Sequence, residues 1–226
     1  MKLDYLTFPD GLDRADYAMI GLHGRNANKY AFFPFVRQMG FLHTRWVLPS
    51  ATYFDDAAPD VRWWYDNNLR DPAEVQESRD LISDLISAQL DDGIAPENIF
   101  VVGFSQGAVM SLDTVLRYPV RLGGIVALSG YVLDPDRLLE EQNPANRQIP
   151  IYVAHGTRDQ ILGIEVGREN NRVLTDLGYG VEYHEYDTAH RVSSDETRDI
   201  RAFLHRHMYG LHPDDPRTRD EHIVAF

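Results

Sequence analysis

The chain has 226 residues, a formal charge of −13 at pH 7 and no cysteine, a length that fills one hydrophobic core more readily than two. Disulfides, thiolate zinc sites and cysteine nucleophiles are excluded at once. The negative charge disfavours nucleic acid and acidic membrane surfaces as partners, because both are bound through clustered Lys and Arg.

Met1-Lys2-Leu3-Asp4 lacks the pattern of a signal peptide, and no apolar run reaches membrane-spanning length. The expected location is therefore the cytoplasm, without stable membrane insertion. Lys2 and Lys29 are the only lysines, a bias that genome composition or adaptation to salt would each produce.

In chain order, Leu3–Phe8 reads as an edge strand, and Tyr17–Leu22 and Trp46–Leu48 as strands. Asp71-Pro72-Ala73-Glu74 sets an N-cap, a proline at the first helical position and an acid in the first turn, so a helix is predicted to about Leu90. Ile99–Phe104 is a continuous apolar strand, followed by a helix from Gln106 to about Tyr118. Ile125–Leu128, Ile151–Ala154 and Val181–Tyr186 are further strands, with one short helix around Pro135–Glu141. Ser193 and Glu196 stand in capping-box spacing before a last helix that buries Ile200, Phe203 and Leu204 and stops at Gly210. Strands alternating with helices imply an α/β layer fold around a mostly parallel sheet. Residues 1–210 are read as one domain and 211–226 as a polar, proline-punctuated tail.

Gly103-Phe104-Ser105-Gln106-Gly107 matches the G-x-S-x-G nucleophile elbow and sits at a strand-to-helix junction, where that motif works. A serine hydroxyl needs a base to take its proton and a third group to orient the base. In the chain order of this elbow the acid comes next and the histidine last. His190 lies between the last strand and the last helix, the position required of the base. His184 lies within a strand, and His205 and His207 lie on the last helix, so they are poorer candidates. Asp159 follows the strand Ile151–Ala154 at the carboxyl end of the sheet, where open α/β folds keep their sites. Asp187 competes for the acid's role, and position in the strand order favours Asp159. An acyl-transfer site also needs donors for a developing oxyanion. Backbone N–H groups of Gln106, after the nucleophile, and of Arg25, in the loop Leu22-His23-Gly24-Arg25-Asn26, are placed to supply them. His23 is read as a structural hydrogen-bonding residue.

With these pieces, and with Leu48-Pro49-x-Ala51, Trp64-Tyr65-Asp66, Leu128-Ser129-Gly130-Tyr131, His155-Gly156-x-x-Asp159 and Ala189-His190, the chain resembles the carboxylesterase and acyl-protein thioesterase family. This is the small lidless branch of the α/β-hydrolases, also called the phospholipase/carboxylesterase family, and the resemblance spans Tyr17 to about Met208. It implies an α/β-hydrolase fold with helices on both faces and no separate lid domain. It also implies Ser105, Asp159 and His190 as a catalytic triad, Arg25 and Gln106 as backbone donors, and Trp63, Trp64 and Tyr65 as pocket lining. Three departures stand out. Arg25 occupies a position usually apolar in the family, Gln160-Ile161-Leu162 follows the acid, and Thr52-Tyr53-Phe54-Asp55-Asp56 replaces a proline-rich stretch.

The expected function is hydrolysis of carboxylic esters of short to medium acyl chains through an acyl-enzyme. The expected partner is a small-molecule ester, and no cofactor or metal is expected. A homodimer is left open. The segment from Ser129 to Pro150 has room for a loop and a short helix but not for a cap domain. Two other readings stand beside this one: a thioesterase or lysophospholipase acting on long acyl chains, and a non-catalytic ligand-binding protein on the same fold.

Overall fold

In the computed structural model, residues 3–210 are described apart from Asp10, Gly11, Asp13, Leu42 and Leu69. The expected tail, 211–226, lies outside the described residues. The strands are β1 (Tyr5–Phe8), β2 (Tyr17–Leu22), β3 (Thr44–Pro49), β4 (Tyr53–Asp55), β5 (Ala58–Trp63), β6 (Ile99–Phe104), β7 (Gly124–Leu128), β8 (Ile151–Gly156) and β9 (Val181–Tyr186). The helices are α1 (Phe33–Met39), α2 (Pro72–Asp91), α3 (Gln106–Val115), α4 (Pro135–Glu141), α5 (Ile164–Asp176) and α6 (Ser194–Tyr209).

Seven strands form one sheet in the order β1-β3-β2-β6-β7-β8-β9, parallel except for the antiparallel edge strand β1. Both faces are covered, and the central strands divide their side chains between them with a period of two. Ala18, Ile20 and Leu22 of β2, Ile99 and Val101 of β6, and Ile125 and Ala127 of β7 join the core on the α2 and α3 face. Met19, Phe100, Val102, Val126 and Leu128 join the core beneath α1 and α6. This is the doubly covered α/β-hydrolase arrangement expected.

The boundary residues act as read. Asp71 accepts from Ala73 N–H at 2.8 Å with Pro72 at the first helical position of α2. Ser193 and Glu196 close a reciprocal capping box on α6, each side chain accepting from the other's backbone N–H. β3 extends beyond Trp46–Leu48 at both ends, and α3 stops three residues before Tyr118. Helices α1 and α5 and the β4–β5 hairpin were not anticipated. From Ser129 to Pro150 the chain holds only α4 and a 3₁₀ turn at Pro144–Asn146, so no lid domain follows β7. Among the described residues no helix is long and apolar enough to cross a membrane.

Candidate active site

The site lies at the carboxyl ends of β6, β8 and β9. Between β6 and α3, Ser105 adopts φ 55° and ψ −120°, a conformation that a side chain holds only under constraint. The constraint is close packing. A Cβ on Gly107 would overlap the carbonyl of Leu22 in β2, and one on Gly103 would overlap the carbonyl of Gly107, so only glycine lets the elbow turn this tightly. Ser105 N–H donates to Leu128 O of β7 at 2.8 Å, which ties the elbow to its neighbouring strand.

Ser105 Oγ lies 3.0 Å from His190 Nε2, and His190 Nδ1 lies 2.6 Å from Asp159 Oδ2. An ionised carboxylate only accepts. Nδ1 therefore carries the proton and donates it to Asp159, which leaves Nε2 free to accept from the serine hydroxyl. Phe104 packs against the imidazole with ring centroids 4.8 Å apart. Asp159 Oδ1 accepts from Ile161 N–H at 2.8 Å and Leu162 N–H at 2.9 Å. Burial pushes the Asp159 carboxyl upward, but the His190 hydrogen bond and those two backbone donors outweigh it and hold the group below the usual aspartate value. Asp187, the competing acid, is exposed and paired with Arg158 at 2.6 Å, and it belongs to a surface ion pair.

The loop after β2 closes over the elbow. A Cβ on Gly24 would stand 3.2 Å from Ser105 Cβ, so the backbone at Gly24-Arg25 runs beside the serine. At the other side of the elbow, Gln106 opens α3, and its N–H has no partner one helical turn earlier. These are the two expected donors, and both elements bearing them adjoin Ser105. His23 has the structural role expected of it. Its Nδ1 donates to Gly24 O at 2.7 Å, and Nε2 accepts from Ala51 N–H at 2.9 Å. Burial lowers its pKa to about 4, so the ring is neutral at ordinary pH.

Trp63, Trp64 and Tyr65 do not form the expected wall. Trp64 and Tyr65 are 0% and 1% exposed and belong to the core, and Trp63 at the end of β5 is not part of the cavity lining. The Gln106 side chain explains the inward turn. Its Oε1 accepts from Trp64 N–H at 2.8 Å, while its Nε2 donates to Tyr65 O at 2.6 Å and Asn67 Oδ1 at 2.9 Å. The Trp64 indole N–H donates to His23 O at 2.8 Å, which seats the ring beneath the loop after β2.

The cavity beside Ser105 instead opens on the opposite side of that loop. It measures about 520 Å³, and Phe32, Phe35, Phe104, Leu128 and Val192 supply apolar wall beside His190. Other residues escaped the sequence reading. His155 donates from Nε2 to Leu162 O at 2.7 Å, bracing the loop whose N–H groups hold Asp159. Arg62 of β5 exchanges backbone hydrogen bonds with Asn26 and Ala27, tying the hairpin to the loop that carries Arg25. His155 lies in the His155-Gly156-x-x-Asp159 motif, but its bond to Leu162 shows only in the folded loop, and the Arg62 contact joins residues far apart in the chain. Among the described residues no cluster of three or more His, Cys, Asp or Glu side chains is suited to a metal.

A family model described as phospholipase/carboxylesterase matches residues 9–208. The chain is 33% identical over 182 residues to acyl-protein thioesterase 1 of Yarrowia lipolytica, covering 74% of this chain and 79% of that one. It is 28% identical over 177 residues to carboxylesterase SOBER1 of Arabidopsis thaliana, covering 73% and 78%. Among solved structures, esterase PE8 superposes with a TM-score of 0.82 at 25% identity over 91% of this chain and 99% of that one.

Proposed function

The chain belongs to the phospholipase/carboxylesterase family, and on that premise we propose that it is a serine hydrolase cleaving carboxylic esters of short to medium acyl chains. The observation that carries the reading is the unbroken relay from Ser105 Oγ through His190 to Asp159, at 3.0 and 2.6 Å, behind a strained elbow.

In this mechanism Ser105 Oγ attacks the acyl carbon while His190 Nε2 takes the hydroxyl proton. Asp159 keeps its negative charge and stabilises the imidazolium. The carbonyl oxygen gains that carbon's displaced electron pair and is met by the N–H groups of Arg25 and Gln106, each donor lowering the barrier by about 3 kcal/mol. Collapse expels the alcohol, which receives the proton from His190 and leaves an acyl ester on Ser105. Water then repeats the sequence, giving its proton to His190 and releasing the acid.

The chain-length preference rests on the cavity. Each buried methylene contributes about 0.8 kcal/mol only while apolar wall remains to receive it, and no lid extends the wall given by Phe32, Phe35, Phe104 and Leu128. Measuring kcat/KM for esters of two to sixteen carbons tests this reading. The constant should rise over the first few carbons and then level or fall. A steady rise to the longest chain would transfer the assignment to a lipid-handling thioesterase.

A further inference from the structure

Two arginine side chains that the reaction does not use stand on the wall of the cavity. Arg25 follows His23-Gly24 in the loop after β2, and Arg191 follows His190 in the loop before α6, so both are attached to the reaction centre through the backbone. Both are exposed, and among the described residues neither has a carboxylate partner. Arg191 Nε donates to the neutral Thr188 hydroxyl at 3.3 Å, a contact that leaves its charge uncompensated. Elsewhere several arginines are matched with acids: Arg45, Arg79, Arg117, Arg168, Arg172 and Arg198 all make ion pairs. Acids outnumber bases by 35 to 22 in this chain, yet these two guanidinium groups on the wall of one cavity are left to a ligand.

The remainder of the cavity is apolar, through Phe32, Phe35, Phe104 and Leu128. A ligand that fits both parts has a short hydrocarbon body and an anionic end. A single negative charge on that end suits the apolar surroundings, because the cost of stripping water from an ion grows with its charge and a phosphate dianion loses more than a carboxylate does.

We propose that the natural ester carries a carboxylate on the group seated in this cavity, and that the Arg25 and Arg191 guanidinium groups bind it. The inference rests on the esterase reading above and narrows its substrate class to acidic esters. Arg25 then serves two atoms of one substrate, its backbone N–H meeting the oxyanion and its side chain the carboxylate. Arg25 is also a departure from the apolar residue usual at this position, so the selectivity belongs to this chain.

Two matched pairs of esters test the proposal. In the first, p-nitrophenyl hydrogen glutarate is compared with its neutral isostere, in which an isopropyl group replaces the carboxylate. In the second, the butanoate ester of γ-hydroxybutanoate is compared with the corresponding isopropyl-ended alcohol ester, which moves the charge to the leaving group. In at least one pair kcat/KM should favour the acidic ester by about tenfold, the scale of a charge-assisted hydrogen bond, and the margin should shrink as salt is added. Arg25→Gln and Arg191→Gln should each reduce the ratio, the double variant should bring it to about one, and Arg191→Lys should retain most of it. Taking the ratio within a single variant cancels any change in the oxyanion donors. A ratio at or below one in both pairs for the unaltered protein, or a ratio unmoved by the double variant, overturns the proposal while leaving ester hydrolysis standing. Failure to turn over even the neutral esters overturns the esterase reading and this inference with it.

Discussion

Ser105, Asp159 and the elbow glycines are fixed largely by contacts to backbone: Gly103 against Gly107, Gly107 against the Leu22 carbonyl, Asp159 Oδ1 on the N–H groups of Ile161 and Leu162, Ser105 N–H on Leu128 O of the adjoining strand. The cavity beside them is assembled from distant side chains, with Phe32 and Phe35 brought from the α1 region, Phe104 from β6, and Val192, Ser193, Ser194 and Thr197 from the approach to and first turn of α6. The first region depends on backbone geometry that a handful of residue types satisfy. The second depends on packing that many side chains satisfy. Substitutions in the centre should therefore change turnover of every ester alike, and substitutions in the wall should change which ester is preferred.

The strongest challenge to that division is at the acid. Asp159→Asn should lower kcat/KM by about 10⁴-fold for short and long esters alike, because an amide in place of the carboxylate favours the wrong imidazole tautomer. Asp187→Asn removes only an exposed partner of Arg158 and should stay within about twofold. Steady-state rates in the opposite order would move the acid's role to Asp187.

In the wall, Phe35→Ala removes apolar surface that packs on Phe32 and Trp46. Its loss in kcat/KM should grow with acyl length, reaching about tenfold for medium chains. An equal loss from acetate upward would show that Phe35 supports the centre instead.

The smallest effect on turnover is expected at Glu196, the capping acid of α6, where the readout is stability. Burial raises its carboxyl to about 7, against a smaller lowering by the Ser193 N–H. In the folded state it holds a proton that the unfolded chain has already lost. Its contribution is therefore complete below the ordinary value of 4.5 and disappears as pH rises to about 7. Glu196→Gln keeps an acceptor for Ser193 and should flatten that decline by about 3 kcal/mol. Denaturant midpoints across pH 4 to 8 measure it, and an unchanged slope would contradict the burial account.

The same division explains what was legible beforehand. The elbow, the order of Ser105, Asp159 and His190, and the caps at Asp71 and Ser193 are local patterns, and the alternating strand residues report their own sheet. In helix α5 two of the three fully buried positions are Gly167 and Asn170, with only Leu174 apolar, so the face that packs on the sheet is not marked by a run of apolar residues at helical spacing. Helix α1 is seven residues long with Pro34 in its first turn. At Trp63-Trp64-Tyr65 the aromatic run was visible but its direction was not. Whether those rings face core or cavity is decided by the Gln106 side chain, 42 residues away from Trp64 in the chain.

The central claim, that ester cleavage passes through an acyl group on Ser105, is tested most directly by rapid-quench intact mass measurement during turnover of a p-nitrophenyl ester, followed by peptide mapping. The account predicts a transient increment equal to the acyl group, located on Ser105, with its formation and ester turnover both lost in Ser105→Ala, where removing the nucleophile costs on the order of 10⁶-fold. An acyl adduct on another residue, or undiminished turnover by a folded Ser105→Ala protein, would contradict it.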